Sequence, residues 1–593
     1  MYILNQYCSA EDLEQYLGDP CEAERIFSFK HTMELDELAE YPEQACALLQ
    51  QWGFLHYFIP SKYGGKLSSY EELLTLLRVI SRRDLTVAIA LGQIYLGAVH
   101  IWIAGTQKQK QRVAEIIKAG KQMAFALTER EHGSDILASE VQATKTENGY
   151  LLHGEKWLIN NGTRAAALTV FARTEIHGGP RGFSLFLVEK DSLNRSFLPI
   201  PKIKTLGIRG ADISGVRFNN SFIPTESIIA HSGYGLEIAL KGLMITRSLC
   251  AGFSLGAVDT VLRSTLGFAL KRKLYGDIIF NIPDVKRKLV DSFMEVLICD
   301  CLAIAAMRAL HTTPDQASIW SAIVKYFVPT TIEDTIENLC VVLGARYYLR
   351  EGYQWGMVQK IARDNSVVSL FDGSTVINLT TIALQLHQLM ADKEKYYFQD
   401  REELQTRLKL IFSLQSPLPD FDSMNLELSN RGCNDVLQGL EIALSQLHNL
   451  KERSNSNLEV VKMVIEFVDD MLKKIAKEKR FLQDLTNRYG YAATKSTEIF
   501  ESVKRYCILH AASTCIHMWI HNRECLSDFF AKGEWLVLCL RRLLIHFDIN
   551  HYLLPDYFIE NVAQEAVERY QQGKAFSIVP YQLAHLEREF LQL

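Results

Sequence analysis

Phe125-Ala126-Leu127-Thr128-Glu129-Arg130-Glu131-His132-Gly133-Ser134-Asp135 marks the point at which the chain changes its grammar. Before it, residues 36–120 read mostly as helices; Leu73, Leu76, Leu77 and Ile80 fall on one face of a 3.6-residue period, and Pro60, Gly64 and Gly65 break the run ahead of them. After it, residues 141–144, 167–172, 183–189 and 215–218 are short apolar or alternating runs punctuated by glycines, the pattern of a small antiparallel barrel or sandwich. A dinucleotide-binding parallel sheet fits badly, because no G-x-G-x-x-G follows a strand. Long helical periods return over 236–270, 284–310 and 316–343, and amphipathic segments continue to the C-terminus. The expected fold is therefore mainly α with a small antiparallel β domain. It divides into a helical domain 1–122, a β domain 123–232, a helical bundle 233–390 and a helical extension 391–593, with breaks in the extension near 413–419, 429–432 and 553–555.

Composition narrows the function. Over 593 residues, 64 Lys and Arg stand against 69 Asp and Glu, a net charge of -5, so no global positive field points to nucleic acid or acidic lipid. Twelve cysteines at irregular gaps, and no basic then apolar leader in residues 1–12, predict reduced thiols and a soluble, cytoplasmic chain. Cys299 and Cys301 lack the partner pair that zinc syntax requires, so no metal is expected. Residues 85–105 carry no formal charge but contain Gln93 and His100, and read as a helix buried in protein, not as a transmembrane span. Residues 534–547 can lie in a membrane interface or, more simply, form a core helix with one wet edge.

At the 125–135 junction, small residues and hydroxyls can offer donors to a ring edge or a phosphate, and equally can form a capped turn. Thr128-Glu129-x-x-x-Gly133-Ser134-Asp135 resembles the T-E-x-x-x-G-S-D signature of the acyl-CoA dehydrogenase family. Residues 154–162, Gly-Glu-Lys-Trp-Leu-Ile-Asn-Asn-Gly, are similar to its G-x-K-x-W-I-T-N-G turn. Arg272-Lys273-Leu274-Tyr275-Gly276 looks like R-x-x-F-G, and Arg363-Asp364 precedes Phe371-Asp372-Gly373-Ser374-Thr375 as R-D precedes Y-E-G-T. Four motifs in order, over roughly 40–390, say more than any one of them.

The resemblance implies FAD held between an N-terminal helical domain, a middle β domain and a four-helix domain, and removal of an α proton from an acyl thioester while the β hydride passes to flavin N5. By position, Phe125, Leu127, Thr128, Ser134, Trp157, Ile159, Asn160, Ser374 and Thr375 are implied at the flavin, Arg272 and Gly344 at the cofactor of a neighbouring subunit. Ser134, Thr246, Arg247 and Gly373 are implied at the substrate. Asp372 falls at the base, with its own N–H as one donor to the thioester oxygen and Arg247 as its orienting partner; the alternative for Arg247 is a surface salt bridge. An Asp before Gly is, on its own, also a common turn residue.

The chain departs from the pattern at several positions. Asp372 stands where the family has Glu, one methylene shorter, and Thr246 occupies the alternative base position of some members. Leu158 holds the place of the family's aromatic, with Trp157 one residue early. Asn160 replaces a Thr, Val341 and Pro283 replace glutamines, and Ala345, Arg346 and Tyr347 replace a glycine-rich turn.

The extension resembles in placement the C-terminal helical region of very-long-chain members, which implies a homodimer. The leading reading is an FAD-dependent dehydrogenase of an acyl-CoA or acyl-carrier-protein substrate, with an electron-transfer flavoprotein as a candidate acceptor. The alternatives are a flavin oxidase on the same fold, to which an Asp base also belongs, and a non-enzymatic acyl-binding or assembly protein.

Overall fold

The computed structural model describes residues 5–193, 196–391, 401–453, 457–547 and 554–584. Six helices precede the sheet: α1 (Asn5–Leu17), α2 (Phe29–Leu38), α3 (Glu43–Trp52), α4 (Tyr70–Ser81), α5 (Leu85–Ala104) and α6 (Gln107–Lys118). Their starts are written in the sequence. The Ser69 hydroxyl accepts the Glu72 N–H at the head of α4, Asp84 accepts Thr86 N at the head of α5, and Thr106 with Gln109 forms a capping box on α6. Each cap satisfies N–H groups that a first turn leaves unpaired. α5 is apolar all round because it is enclosed all round: it is long enough to cross a bilayer, but 89% of its apolar window is buried within the protein.

The sheet comprises β1 (Met123–Ala126), β2 (Gln142–Lys145), β3 (Gly149–Asn160), β4 (Ala167–Arg173), β5 (Phe183–Glu189), β6 (Phe197–Ile200) and β7 (Ile213–Pro224). Its order is β1-β4-β2-β3-β7-β6, with β5 on the other pairing of β4. The pairings β2/β3, β3/β7, β4/β5 and β6/β7 are antiparallel, as expected, but β1 runs parallel to β4 and a single parallel bridge joins β2 to β4. The sheet is thus mixed, because β1 enters from α6 and must lie against α5: a Cβ on Gly97 would stand 2.8 Å from Ala124 N, and the Thr169 hydroxyl donates to Gly97 O at 2.6 Å. This close approach locks the sheet to α5.

A bundle follows: α7 (Gly235–Lys271), α8 (Pro283–Thr312), α9 (Ala317–Leu343), α10 (Met357–Asn365) and α11 (Thr375–Leu389). α7 is also long and apolar enough to span a membrane, and 89% of its window is buried against α4, α5, α8 and α9. The extension adds α12 (Arg401–Phe412), α13 (Asp435–Gln438), α14 (Leu440–Arg453), α15 (Leu458–Tyr489), α16 (Thr497–Asn522), α17 (Asp528–Lys532), α18 (Glu534–Leu544) and α19 (Asp556–Gln571). Of the expected break at 553–555, residue 553 lies outside the described residues.

The extension is keyed into the bundle and into α4 by buried arginines. Arg308 of α8 donates to the carbonyls of Leu410, Ile411, Ser413 and Ser416, so a cation sits at the C-terminal end of α12, where the helix carbonyls are unpaired. Arg78 of α4 pairs with Asp259 at 2.7 Å and Asp300 at 2.6 Å and also donates to Phe576 O; Arg263 reaches the carbonyls of Tyr570 and Lys574. α18 does not offer its apolar side to a membrane. Trp535, Leu536, Val537 and Leu540 are fully buried, so that face is already spent on the protein's own core.

Candidate active site

Asp372 lies in the turn between α10 and α11, half-buried, with φ +57, followed by Gly373 at φ +96. Two successive residues in left-handed geometry turn the chain sharply, and Asp is among the few non-glycine residues that tolerate it. Gly373 has a second reason to lack a side chain: a Cβ there would stand 2.7 Å from Arg247 Nη2. Arg247 is 7% exposed, so it is no surface salt bridge; its Nε donates to Asp372 O at 2.8 Å and holds the backbone, not the carboxylate.

The carboxylate meets α7. Cys250 Sγ lies 3.9 Å from Asp372 Oδ2, and the two line a cavity of about 20 Å³ together with Thr246, Gln93, Leu96 and Phe253 from α5 and α7. That volume holds about one water. Burial pushes the Asp372 pKa up from the ordinary carboxylate value, opposed by the Arg247 charge, a Thr246 hydrogen bond, the Lys325 charge and the Cys250 thiol. Burial beside the carboxylate raises the Cys250 thiol out of the range in which it would ionise.

On the sheet side, Thr128 and Trp157 are tied together. Trp157 N donates to Thr128 O at 2.9 Å, and the Thr128 hydroxyl donates to Trp157 O at 2.7 Å. Trp157 lies under the Arg130 guanidinium, 4.7 Å from the ring centre. A bulge separates Trp157, paired with Gly215, from Ile159, paired with Ser214; Leu158 is the extra residue, at φ +57 and 44% exposed. The bulge reverses the alternation, so Trp157 and Asn160 come to one face while Lys156 and Ile159 turn into the core. Trp157 faces outward ahead of the bulge, and the bulge brings Asn160 to the same face. Ile159, 2% exposed, can meet a ligand only through its backbone.

Phe125 packs on the buried His100 ring, centroids 4.1 Å apart, and Leu127 is half-buried. Ser134 is exposed, and a Cβ on Gly133 would meet no atom within 4 Å. Ser374 precedes α11, and Thr375 N donates to Ser369 O at 3.0 Å. Arg272 is half-buried and forms no ion pair among the described residues, while Gly344, at φ +62, ends α9 with open space around it. Arg363 and Asp364 are braces. Arg363 pairs with Asp36 at 2.6 Å and donates to Leu206 O; Asp364 accepts Ile208 N at 2.6 Å and Lys360 Nζ at 2.5 Å.

Motif reading passed over two buried lysines. Lys156 donates to Leu127 O at 2.8 Å and to Glu129 Oε1 at 2.7 Å, while Glu129 also accepts the N–H groups of Glu140 and Val141. Lys325 lies behind the Asp372 turn. The available signal was a lone charge within an apolar run, as at Ile323-Val324-Lys325-Tyr326-Phe327.

Profiles of the acyl-CoA dehydrogenase N-terminal, middle and C-terminal domains match residues 24–121, 124–221 and 233–387. This chain belongs to the acyl-CoA dehydrogenase family. A protein named "Probable acyl-CoA dehydrogenase" in Mycobacterium bovis is 28% identical over 359 residues, 60% of this chain and 90% of that one. A structure of acyl-CoA dehydrogenase complexed with FAD from Bacillus anthracis is similar over 98% of both chains, with a TM-score of 0.68 at 16% identity, and so shares the extended fold. The prolyl acyl carrier protein oxidase AnaB covers 65% of this chain and 100% of its own, with a TM-score of 0.57 at 19% identity.

As an acyl-CoA dehydrogenase family member, the chain is an FAD-dependent oxidoreductase acting on the CH–CH bond of acyl thioesters. Its residues fit the cofactor. Asn160 Oδ1 is buried without a hydrogen-bond partner on the outer face beside Trp157, an acceptor that suits a ring N–H, and the Gly133-Ser134 turn is open.

Proposed function

We propose that this acyl-CoA dehydrogenase abstracts the α proton of its acyl thioester with Asp372. The observation that supports the reading is the Asp372 turn: a carboxylate made more basic by burial faces the α5–α7 cavity, and its backbone is fixed by Arg247. The Asp372 N–H serves as a donor to the thioester oxygen, where enolate charge develops. Phe125, Leu127, Thr128, Ser134, Trp157, Asn160, Ser374 and Thr375 are the residues proposed to hold FAD, with Arg272 and Gly344 toward the cofactor of a second subunit. Bound FAD supplies the hydride acceptor. The chain's part is to orient the acyl group, exclude water and take the proton at Asp372 Oδ.

Exposed Leu274 and Tyr275 beside Arg272, and exposed Val341, Tyr348 and Leu349 around Gly344, support a homodimer that covers both loops. Acyl-CoA and acyl-carrier protein share the thioester arm that this site would read, and an electron-transfer flavoprotein is the proposed acceptor. The second reading, an oxidase, rests on the shorter base.

The test is anaerobic mixing of the yellow protein with matched acyl-CoA and acyl-carrier panels. Bleaching of the oxidised-flavin band and loss of two hydrogens from the product are expected. Asp372→Asn should keep the flavin band yet lose the bleaching by about a thousandfold or more; wild-type bleaching in that variant would reject the base. Stoichiometric oxygen consumption without an added acceptor would favour the oxidase.

A further inference from the structure

The turn that carries Asp372 cannot satisfy its own backbone. Left-handed φ at Asp372 and Gly373 removes both residues from any helix or strand ladder, so their carbonyls need other donors. One buried cation takes the Gly373 carbonyl and, with it, that of Phe371 on the other side of Asp372. Lys325 of α9 is 0% exposed, and its ammonium donates to Val368 O at 2.6 Å, Phe371 O at 2.7 Å and Gly373 O at 3.2 Å. An ammonium has three protons, and all three are used.

Arg247 Nε takes the Asp372 carbonyl, and Asn378 Nδ2 takes those of Gly373 at 2.8 Å and Ser374 at 2.9 Å. Every carbonyl from Phe371 to Ser374 thus ends on a side-chain donor, and Lys325 alone reaches both neighbours of Asp372. The helix is adapted to this. Pro329 lies inside α9 one turn after Lys325, and lacks the N–H that would bond the Lys325 carbonyl, a local weakening of the kind that lets a helix bend.

We infer that Lys325 is a positioning residue for proton abstraction: it fixes the left-handed turn so that the Asp372 carboxylate and N–H address the same substrate, and its charge favours the ionised carboxylate. This rests on Asp372 as the base. The groups acting on that carboxylate are Arg247, Thr246 and Cys250 from α7 and Lys325 from α9; Glu333, further along α9, acts on Lys325. Burial disfavours the Lys325 ammonium, whose pKa is lowered against the pull of Cys250 and Asp372, so an apolar residue would be the simpler filling here.

Removing the Lys325 charge leaves burial less opposed at Asp372. The carboxylate pKa then rises further, and the acid limb of kcat/KM moves to higher pH. The experiment compares Lys325→Met, Lys325→Arg and Asp372→Asn holoenzymes by steady-state pH profile and by amide exchange over residues 366–376. Lys325→Met should keep its flavin band and a KM within about threefold, lose about a hundredfold in kcat, shift the acid limb upward and exchange faster in the turn. Lys325→Arg should keep the acid limb in place but lose about tenfold in kcat, because a planar fork cannot reproduce three divergent bonds. An unmoved acid limb with unchanged exchange in Lys325→Met overturns the inference, and so does wild-type kcat in Lys325→Arg, which decides the matter where the Met variant does not fold. An inert Asp372→Asn beside a wild-type-like Lys325→Met rejects Lys325 alone; a fully active Asp372→Asn rejects the base, and Lys325 with it.

Discussion

Lys156 and Glu129 brace the turn before Thr128 and Trp157 much as Lys325 braces the Asp372 turn. Lys156 is fully buried, and burial, though opposed by the Glu129 charge, brings its pKa down to about 8. Burial would raise the Glu129 carboxyl, but the Lys156 charge and the Glu140 and Val141 N–H groups hold it below the usual carboxylate value. Removing either partner strands the other in a low-dielectric site, whereas removing both does not. Lys156→Met and Glu129→Gln should therefore each cost about 3 kcal/mol, and the double variant markedly less than their sum. Urea denaturation of the four proteins measures this, and strict additivity would refute the coupling. Both positions lie inside motifs visible in the sequence, yet neither was assigned a task, because motif reading attends to residues that touch a ligand. That Asp372 and Arg247 meet was legible in that way. Lys325 was legible only as a lone charge among Val324, Tyr326 and Phe327, and what it binds depends on a turn more than 40 residues away.

At the level of elements, periodicity and caps located the helices well, since both are local signals: Ser69, Asp84 and Thr106 each sit where the N–H groups they cap begin. Strand partners are not local, which is why the parallel β1/β4 pairing escaped a reading based on alternation. The same holds for the seam between the extension and the rest of the chain. Arg78 meets Phe576 O across 498 residues, and Asp300 Oδ2 accepts Ser577 Oγ at 2.6 Å and Ile578 N at 2.8 Å while Oδ1 holds Arg78. One buried carboxylate of α8 thus ties α4 to the segment after α19. Asp300→Asn keeps the shape but removes the charge facing Arg78 and replaces one acceptor by a donor. A loss of about 3–5 kcal/mol in denaturant stability is expected, with the flavin band per folded molecule unchanged, because no residue of the seam is among those proposed to hold FAD. A loss under about 1 kcal/mol would mean that Asp259 alone neutralises Arg78.

Across the whole molecule, neutral imidazoles hold the extension to the bundle at one point and to itself at another. On α16, His510 stands edge-on to Trp320 of α9 with centroids 4.5 Å apart, and His517 stacks on Phe412 of α12 while its Nε2 pairs with Val436 O at 3.1 Å. Burial pulls both pKa values from 6.5 down to about 3. In the unfolded chain each imidazole gains a proton as pH falls through about 6.5; in the folded one it does not until far lower pH. The unfolded state therefore binds more protons over that interval, and stability falls on acidification by up to about 1.4 kcal/mol per pH unit for each site. Buried carboxylates with raised pKa values, among them Asp259, Asp364 and Glu295, act in the opposite direction, so the histidines must be isolated by difference. Glu14, held down to about 2 by Arg82 and Arg83 against the cost of burial, contributes stability present above about 4.5 and lost as pH drops toward 2, below most of the histidine window. In a His510→Phe/His517→Phe double variant, the decline in unfolding free energy between pH 6.5 and 4.5 should be shallower than in the parent by up to about two protons' worth of slope. Matched urea titrations at several pH values provide the comparison. Parallel curves for the two proteins would show that these imidazoles already carry protons in the folded state, and that the seam is not where acid acts.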